Sequence, residues 1–192
     1  MSINKKAADI LWITCDAWPL QEWGDYTVGD TFFEVLVFSH IAMESSQSTT
    51  MSLKRVDINL YEGVGRIFDI STDNSPTLLF DCGIYAYRRE ATLPTGIESG
   101  SFVKMRFYLL FDEDYIHSYF INGEPILKVI PEMQYDWKIK DILVLADYDK
   151  DFENLPVAYE SNTGDIYKRI KETNAYKDCG GRAEYILICE ML

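Results

Sequence analysis

The sequence predicts a mainly β protein, an antiparallel sandwich or barrel with one helix near the carboxyl end, which is an α+β domain in the broad sense. Three observations favour this fold class. Short runs rich in β-branched and aromatic residues recur along the chain. Clusters of Gly, Pro, Asn and Asp separate these runs and are typical of turns. Residues 103–111 also alternate between apolar and polar side chains, as a half-buried strand does.

The length and composition predict a single globular domain spanning residues 1–192. The chain has 192 residues, of which 47% are hydrophobic and 14% aromatic, enough for a substantial core. Within this domain we expect residues 1–150 to form the β core. Residues 151–192 are expected to add the helix and a final strand packed on that core.

The clearest predicted strand covers residues 103–111. Its apolar side chains recur at every second position, while Lys104, Arg106 and Tyr108 point the other way. Further along, Asn122-Gly123 suits a tight type I′ hairpin turn because both residues tolerate positive φ angles. Residues 101–130 are therefore predicted to form a meander of three antiparallel strands.

The other predicted strands are short. Residues 53–60 alternate from Val56 onward and indicate a strand with one solvent-facing side. The Gly63-Val64-Gly65 segment lacks the third glycine of a dinucleotide fingerprint, so we interpret it as a bulge or tight hairpin. The remaining candidates are Ile10–Thr14, Phe32–Phe38, Arg66–Ile70, Leu78–Phe80, Ile84–Tyr87, Tyr115–Ile121, Ile126–Ile130 and Ile142–Ala146.

The predicted helix follows Gly164 and Asp165. Ile166, Tyr167 and Ile170 make a narrow apolar stripe at helical spacing, and Asp165 would lie near the positive end of the helix dipole. The last ten residues, AEYILICEML, have the composition of a strand. The flanks of the long strands do not align well enough to indicate an internal repeat.

The charge balance restricts the classes of partner. The chain carries 18 basic and 31 acidic side chains, a formal net charge of −13, which disfavours nucleic acid and anionic membranes at long range. No run approaches the roughly 20 apolar residues of a membrane span. The four cysteines are dispersed and no secretion signal is readable, so we expect free thiols and a cytoplasmic location.

A group of four alternating carboxylates is the most conspicuous cluster of chemical groups: Asp147, Asp149, Asp151 and Glu153. The segment begins like a calcium-binding EF-hand loop, but position six is Phe152 rather than Gly and position twelve is Ala158 rather than Glu. We therefore interpret it as a solvated acidic loop and expect neither a metal nor another cofactor. Metal-ligand spacing for zinc, such as CxxC, is also absent from the sequence.

The residues for catalysis are few, because His40 and His117 are the only histidines. His117 lies on a predicted strand beside tyrosines, which is typical of a half-buried structural histidine. No nucleophile signature surrounds either residue. We expect a non-enzymatic protein, and an enzyme using His117 with a carboxylate is the least favoured alternative.

The sequence is most consistent with an acidic binding protein. We expect an inhibitor or immunity-type protein that neutralises a basic partner protein, such as a toxin or nuclease, because negative charge speeds association with such a partner. The predicted partner-binding residues are Asp147, Asp149, Asp151 and Glu153, with Asp112, Glu113 and Asp114 second. The alternative is a β domain that binds a small ligand, such as a carbohydrate assisted by calcium, through Trp18 and Trp23.

Overall fold

The computed structural model describes residues 10–16, 24–71, 76–112, 135–146, 154–174 and 184–192. These residues are mainly β and contain no α-helix. Within those ranges, no helix has the length and apolar character needed to cross a membrane. The strands are β1 (Ile10–Asp16), β2 (Thr31–Glu34), β3 (Leu36–Ser45), β4 (Ser52–Arg55), β5 (Leu60–Asp69), β6 (Thr77–Asp81), β7 (Tyr85–Arg89), β8 (Phe102–Phe111), β9 (Tyr135–Leu145), β10 (Val157–Glu160), β11 (Ile166–Ile170) and β12 (Glu184–Met191).

The chain divides into two compact units. Unit 1 comprises Met1–Asp9, Val35–Val56 and Leu60–Gln134. Unit 2 comprises Ile10–Glu34, Asp57–Asn59 and Tyr135–Leu192. Each unit therefore assembles strands that are far apart in the sequence.

Unit 1 is organised around the long strand β5. One edge of β5 pairs with β8, while the other edge pairs first with β4 and then with β6. β6 and β7 form an antiparallel hairpin. β7 also pairs with β3 in parallel through one residue pair, Val37 with Tyr87. Since β3 also pairs with β8, the strands β3, β8, β5, β6 and β7 form a closed circuit of backbone pairing.

An aromatic cluster lies inside this circuit. Phe38, Phe80 and Phe107 are almost fully buried and contact one another edge-to-face, with ring centroids 5.4–6.3 Å apart. Such rings bury the large apolar areas that dominate core stability. On β8 the predicted alternation is confirmed, because Lys104, Arg106 and Tyr108 are exposed while the residues between them are buried.

Unit 2 is organised around the long strand β9. One edge of β9 pairs with β12, which in turn pairs with β1. The other edge pairs with β2 along its first half and with β11 along its second half, and β11 continues to β10. Trp12 of β1 contacts Tyr159 of β10 with ring centroids 5.2 Å apart, so the two end strands of this pairing order approach each other.

The two units share one strand order. In unit 1 the order β3-β8-β5-β4 is antiparallel throughout, and in unit 2 the order β1-β12-β9-β2 is antiparallel throughout. In both units a hairpin pairs with the second half of the long central strand. In unit 1 the hairpin β6–β7 pairs with β5, and in unit 2 the hairpin β10–β11 pairs with β9. No repeat is visible in the sequence because the correspondence lies in which strands pair, not in similar residues.

The predicted carboxyl-terminal helix is wrong for residues 166–170, which form strand β11. β11 lies between β9 and β10, and its adjacent residues Tyr167 and Lys168 are both buried. Lys168 donates a hydrogen bond from Nζ to the carbonyl oxygen of Leu155 at 2.7 Å. Pairing on both edges thus outweighs the weak helical spacing of the apolar residues. The predicted final strand is confirmed as β12.

Two further local predictions need correction. Residues 57–59 leave the sheet between β4 and β5, although their alternation resembles that of a strand. The reason is that Asp57 and Asn59 are both buried and bond to residues far away in the sequence. The Gly63-Val64-Gly65 segment is not a hairpin or bulge but the middle of β5, with continuous pairing to β8.

The meander prediction is confirmed only for its first strand, β8. The predicted strands at Tyr115–Ile121 and Ile126–Ile130, and the Asn122-Gly123 turn, lie outside the described residues. The description of the protein as mainly β holds.

Candidate functional site

The first set of predicted partner-binding residues, Asp147, Asp149, Asp151 and Glu153, lies outside the described residues. The flanking strands are described: β9 ends at Leu145, and β10 begins at Val157. The acidic segment is therefore the connection between two strands of unit 2. Glu113, Asp114, Trp18 and Trp23 lie outside the described residues as well.

Asp112, which was also predicted to bind a partner, is buried at 6% exposure. Its Oδ2 accepts a hydrogen bond from Nη2 of Arg89 at 3.3 Å, forming an ion pair between β7 and the end of β8. The same guanidinium nitrogen donates to the hydroxyl of Tyr87 at 3.2 Å. The Asp112 carboxylate thus bonds within unit 1 and faces little solvent.

Negative charge is concentrated in unit 2. By sequence, unit 2 has 18 acidic and 8 basic side chains, a net charge of −10, whereas unit 1 has 13 acidic and 10 basic, a net charge of −3. Several described cations of unit 2 are already engaged. Lys140 pairs with Glu190 at 3.0 Å and Arg169 pairs with Asp141 at 2.7 Å, while Lys168 is buried.

Exposed carboxylates of unit 2 are left without an ion pair in the described part of the chain. Asp136 lies on β9, Glu160 ends β10 and Glu172 follows β11, and all three are exposed. Across the described ranges, acidic, His and Cys side chains form no group of three or more that could hold a metal ion. The exposed carboxylates of unit 2 contribute a negative electrostatic field.

Unit 1 carries a cleft of about 250 Å³ on the outer face of its sheet. The cleft lies over β3, β5 and β8, and its lining residues are Ala42, Met43, Glu44, Glu62, Lys104, Met105 and Arg106. None of these lining residues is aromatic, so the cleft offers no ring on which a sugar could stack. The alternation of β8 predicted that Lys104 and Arg106 share a face, but the opposing carboxylates depend on strand register, which the sequence does not reveal.

His40 is the only described histidine and lies on β3 opposite Phe107, where a register shift between His40 and Ala42 interrupts the pairing of β3 with β8. Its Nδ1 is 3.0 Å from Nη1 of Arg88 on β7. Since a guanidinium can only donate, Nδ1 accepts and the ring is neutral. Burial and then the Arg88 charge lower the pKa of His40 below its usual value of 6.5.

We expect this arrangement to make unit 1 less stable in acid. Between the lowered folded pKa and 6.5, the unfolded chain holds more protons at His40, so stability falls as the pH decreases through this window. In His40→Gln the amide oxygen can still accept from Arg88, but it does not titrate. Urea unfolding from pH 8 to pH 5 should show that the free energy of unfolding falls less in His40→Gln than in the unsubstituted protein.

His117→Gln is the matched control for this measurement, because it removes the other histidine of the chain. Below pH 6.5 the free energy of unfolding of His117→Gln should fall as steeply as that of the unsubstituted protein. Identical profiles for His40→Gln and the unsubstituted protein would show that the Arg88 contact does not govern the titration of His40.

The described thiols are buried. Cys15, Cys82 and Cys189 are free cysteines, and burial raises the pKa of Cys82 to about 12. Burial also raises the pKa of the Cys189 thiol. Because the thiolate is the reactive form, these groups are poor nucleophiles at neutral pH.

No protein-family model, no curated protein and no solved structure matches the chain.

Proposed function

We propose that the protein is a non-enzymatic acidic binding protein, an inhibitor or immunity-type protein that neutralises a basic partner such as a toxin or nuclease. The observation that supports it is the concentration of net charge, −10, in unit 2. A unit of this charge attracts basic proteins over distances of about a Debye length, roughly 8–10 Å at physiological salt. The proposal includes a cytoplasmic location.

The proposed docking residues are Asp147, Asp149, Asp151 and Glu153 in the connection between β9 and β10. They belong to the more acidic unit and follow one another at every second position. Asp112 is not part of the proposed interface, because its carboxylate is bound to Arg89. Exposed Asp136, Glu160 and Glu172 would add to the attraction at longer range.

The first experiment captures proteins from a source-cell lysate on the immobilised chain at about 50 mM salt and elutes them at about 500 mM, conditions that bracket weak and strong screening. We expect one stoichiometric basic protein that is released at high salt. Association kinetics of that purified protein are then measured with Asp149→Asn/Asp151→Asn. We expect its association rate constant to fall about tenfold at low salt, because electrostatic steering accelerates encounter by 10-fold or more.

Glu90→Gln/Glu98→Gln is the matched control, because it removes the same charge from two exposed positions of unit 1. This control should change the rate much less than the test pair does. Equal effects of the two double variants would eliminate the segment after β9 as the docking site. A partner whose binding is insensitive to salt would contradict the electrostatic proposal itself.

A further inference from the structure

The cleft of unit 1 is surrounded by four charged side chains whose signs alternate across neighbouring strands. Lys104 and Arg106 are two residues apart on the same face of β8, which separates their Cα atoms by about 7 Å. Glu44 on β3 is opposite Lys104, and Glu62 on β5 is opposite Arg106. Two cations thus occupy the middle of the cleft with one carboxylate on either side.

These opposite charges do not neutralise one another. Side chains directly opposite in antiparallel strands have Cβ atoms about 5 Å apart, close enough for an ion pair. Yet within the described residues Glu44, Glu62, Lys104 and Arg106 form no ion pair or hydrogen bond through their side chains. In unit 2 the surface pairs do close, at 3.0 Å for Lys140–Glu190 and 2.7 Å for Arg169–Asp141.

Small residues keep the cleft open. Ala42 is opposite Arg106 on one side, and Val64 is opposite Lys104 on the other. The register shift between His40 and Ala42 also turns the outer part of β3 away from a regular path. Bulges of this kind are frequent next to binding sites, where they change the direction of side chains.

The charges define the class of ligand. The two cations and two carboxylates sum to zero, so an ion of either sign alone would be repelled by half of the lining. A small molecule that carries both an ammonium and a carboxylate can place each group beside an opposite charge of the lining.

We propose that this cleft binds a small zwitterion, with the carboxylate held by Lys104 and Arg106 and the ammonium held by Glu62. The guanidinium of Arg106 can bind the carboxylate through two parallel hydrogen bonds. Ala42 lines the cleft opposite Arg106 and offers apolar contact, whereas Met105 is buried on the inner side of β8. This binding activity lies in unit 1 and goes beyond the proposed docking function of unit 2.

The test uses alanylalanine as the probe and backbone amide groups as reporters. Amide NMR spectra are recorded on the full chain while alanylalanine is added to about 10 mM, a range that detects millimolar affinity. We expect saturable shifts of the Lys104 and Arg106 amide signals. The amide signal of Met191, which belongs to unit 2, is the internal control and should not move.

Two blocked probes test the ammonium contact and the carboxylate contact separately. N-acetyl-alanylalanine has no ammonium group and alanylalanine amide has no carboxylate, and each should bind about tenfold more weakly or worse because one charged hydrogen-bonded contact is lost. In Glu62→Gln the acetylated and free dipeptides should bind equally. In the double variant Lys104→Gln/Arg106→Gln, which removes both cations, the amidated and free dipeptides should bind equally.

Lys138→Gln on β9 removes a cation from unit 2 and is the matched control. This variant should still bind the free dipeptide more tightly than the acetylated probe and the amidated probe. Because the readout is a ratio between probes, a moderate loss of stability in a variant does not obscure it. The proposal is overturned if alanylalanine gives no saturable shift at Lys104 and Arg106, or if the free and blocked probes bind equally to the unsubstituted chain. Neither result would affect the docking proposal for unit 2.

Discussion

The Gly65→Ala variant is expected to lose about 3 kcal/mol or more of its free energy of unfolding, since overpacking at a site that cannot relax costs about this much. A Cβ atom on Gly65 would lie 2.2 Å from the carbonyl oxygen of Asp81 and 2.8 Å from the Cα of Cys82. Both neighbours are backbone, so no side chain can rotate away. The backbone of β5 passes directly against the end of β6 at this point.

Urea unfolding of the variant measures the effect, and two neighbouring substitutions are the controls. At Gly63 a Cβ would be 3.1 Å from the carbonyl oxygen of Ser52, so Gly63→Ala should cost less than Gly65→Ala. Val64→Ala removes a half-buried side chain from the other face of the strand and should cost least. If all three substitutions cost the same, the close approach of β5 and β6 does not exist.

The second large effect is expected for Asp57→Ala in unit 2. The Asp57 carboxylate accepts hydrogen bonds from the hydroxyl of Tyr159 at 3.2 Å and from the backbone nitrogen of Asn162 at 3.1 Å. It also accepts from the backbone nitrogen of Ile58 at 2.9 Å. Its removal takes the acceptor away from three donors at once, of which the Ile58 N–H is buried, and should cost about 3 kcal/mol.

A double-mutant cycle with Tyr159→Phe tests this explanation. Tyr159→Phe removes one donor and should cost about 1 kcal/mol by itself. In the Asp57→Ala background the same change should cost much less, because the acceptor is already gone. Strict additivity of the two substitutions would show that the Tyr159 contact contributes nothing to the stability of unit 2.

These two sites show where local sequence patterns mislead. Asp57 stands in an alternating segment that predicted a strand, yet it leaves the sheet because its carboxylate binds residues about 100 positions later. Gly65 stands in a Gly-x-Gly segment that predicted a turn, yet it remains in the strand because the neighbouring backbone needs the space. In both cases the deciding contact is not local.

The candidate sites show the same difference between local sequence patterns and distant contacts. The sequence predicted that Lys104 and Arg106 share an exposed face, because alternation is a local property of β8. The carboxylates opposite them come from strands about 40 and 60 residues earlier, so only the register shows that the four charges meet. Likewise, the burial of Asp112 depends on Arg89 from another strand.

By itself, the sequence determined that the protein is mainly β, that its net charge is strongly negative, and which side chains of β8 are buried. All three follow from composition or from the two-residue period of a strand. Only the tertiary structure decided that residues 166–170 form a strand and that the two units share one strand order. The physical reason is that a strand is completed by hydrogen bonds to distant partners, which a local pattern does not specify.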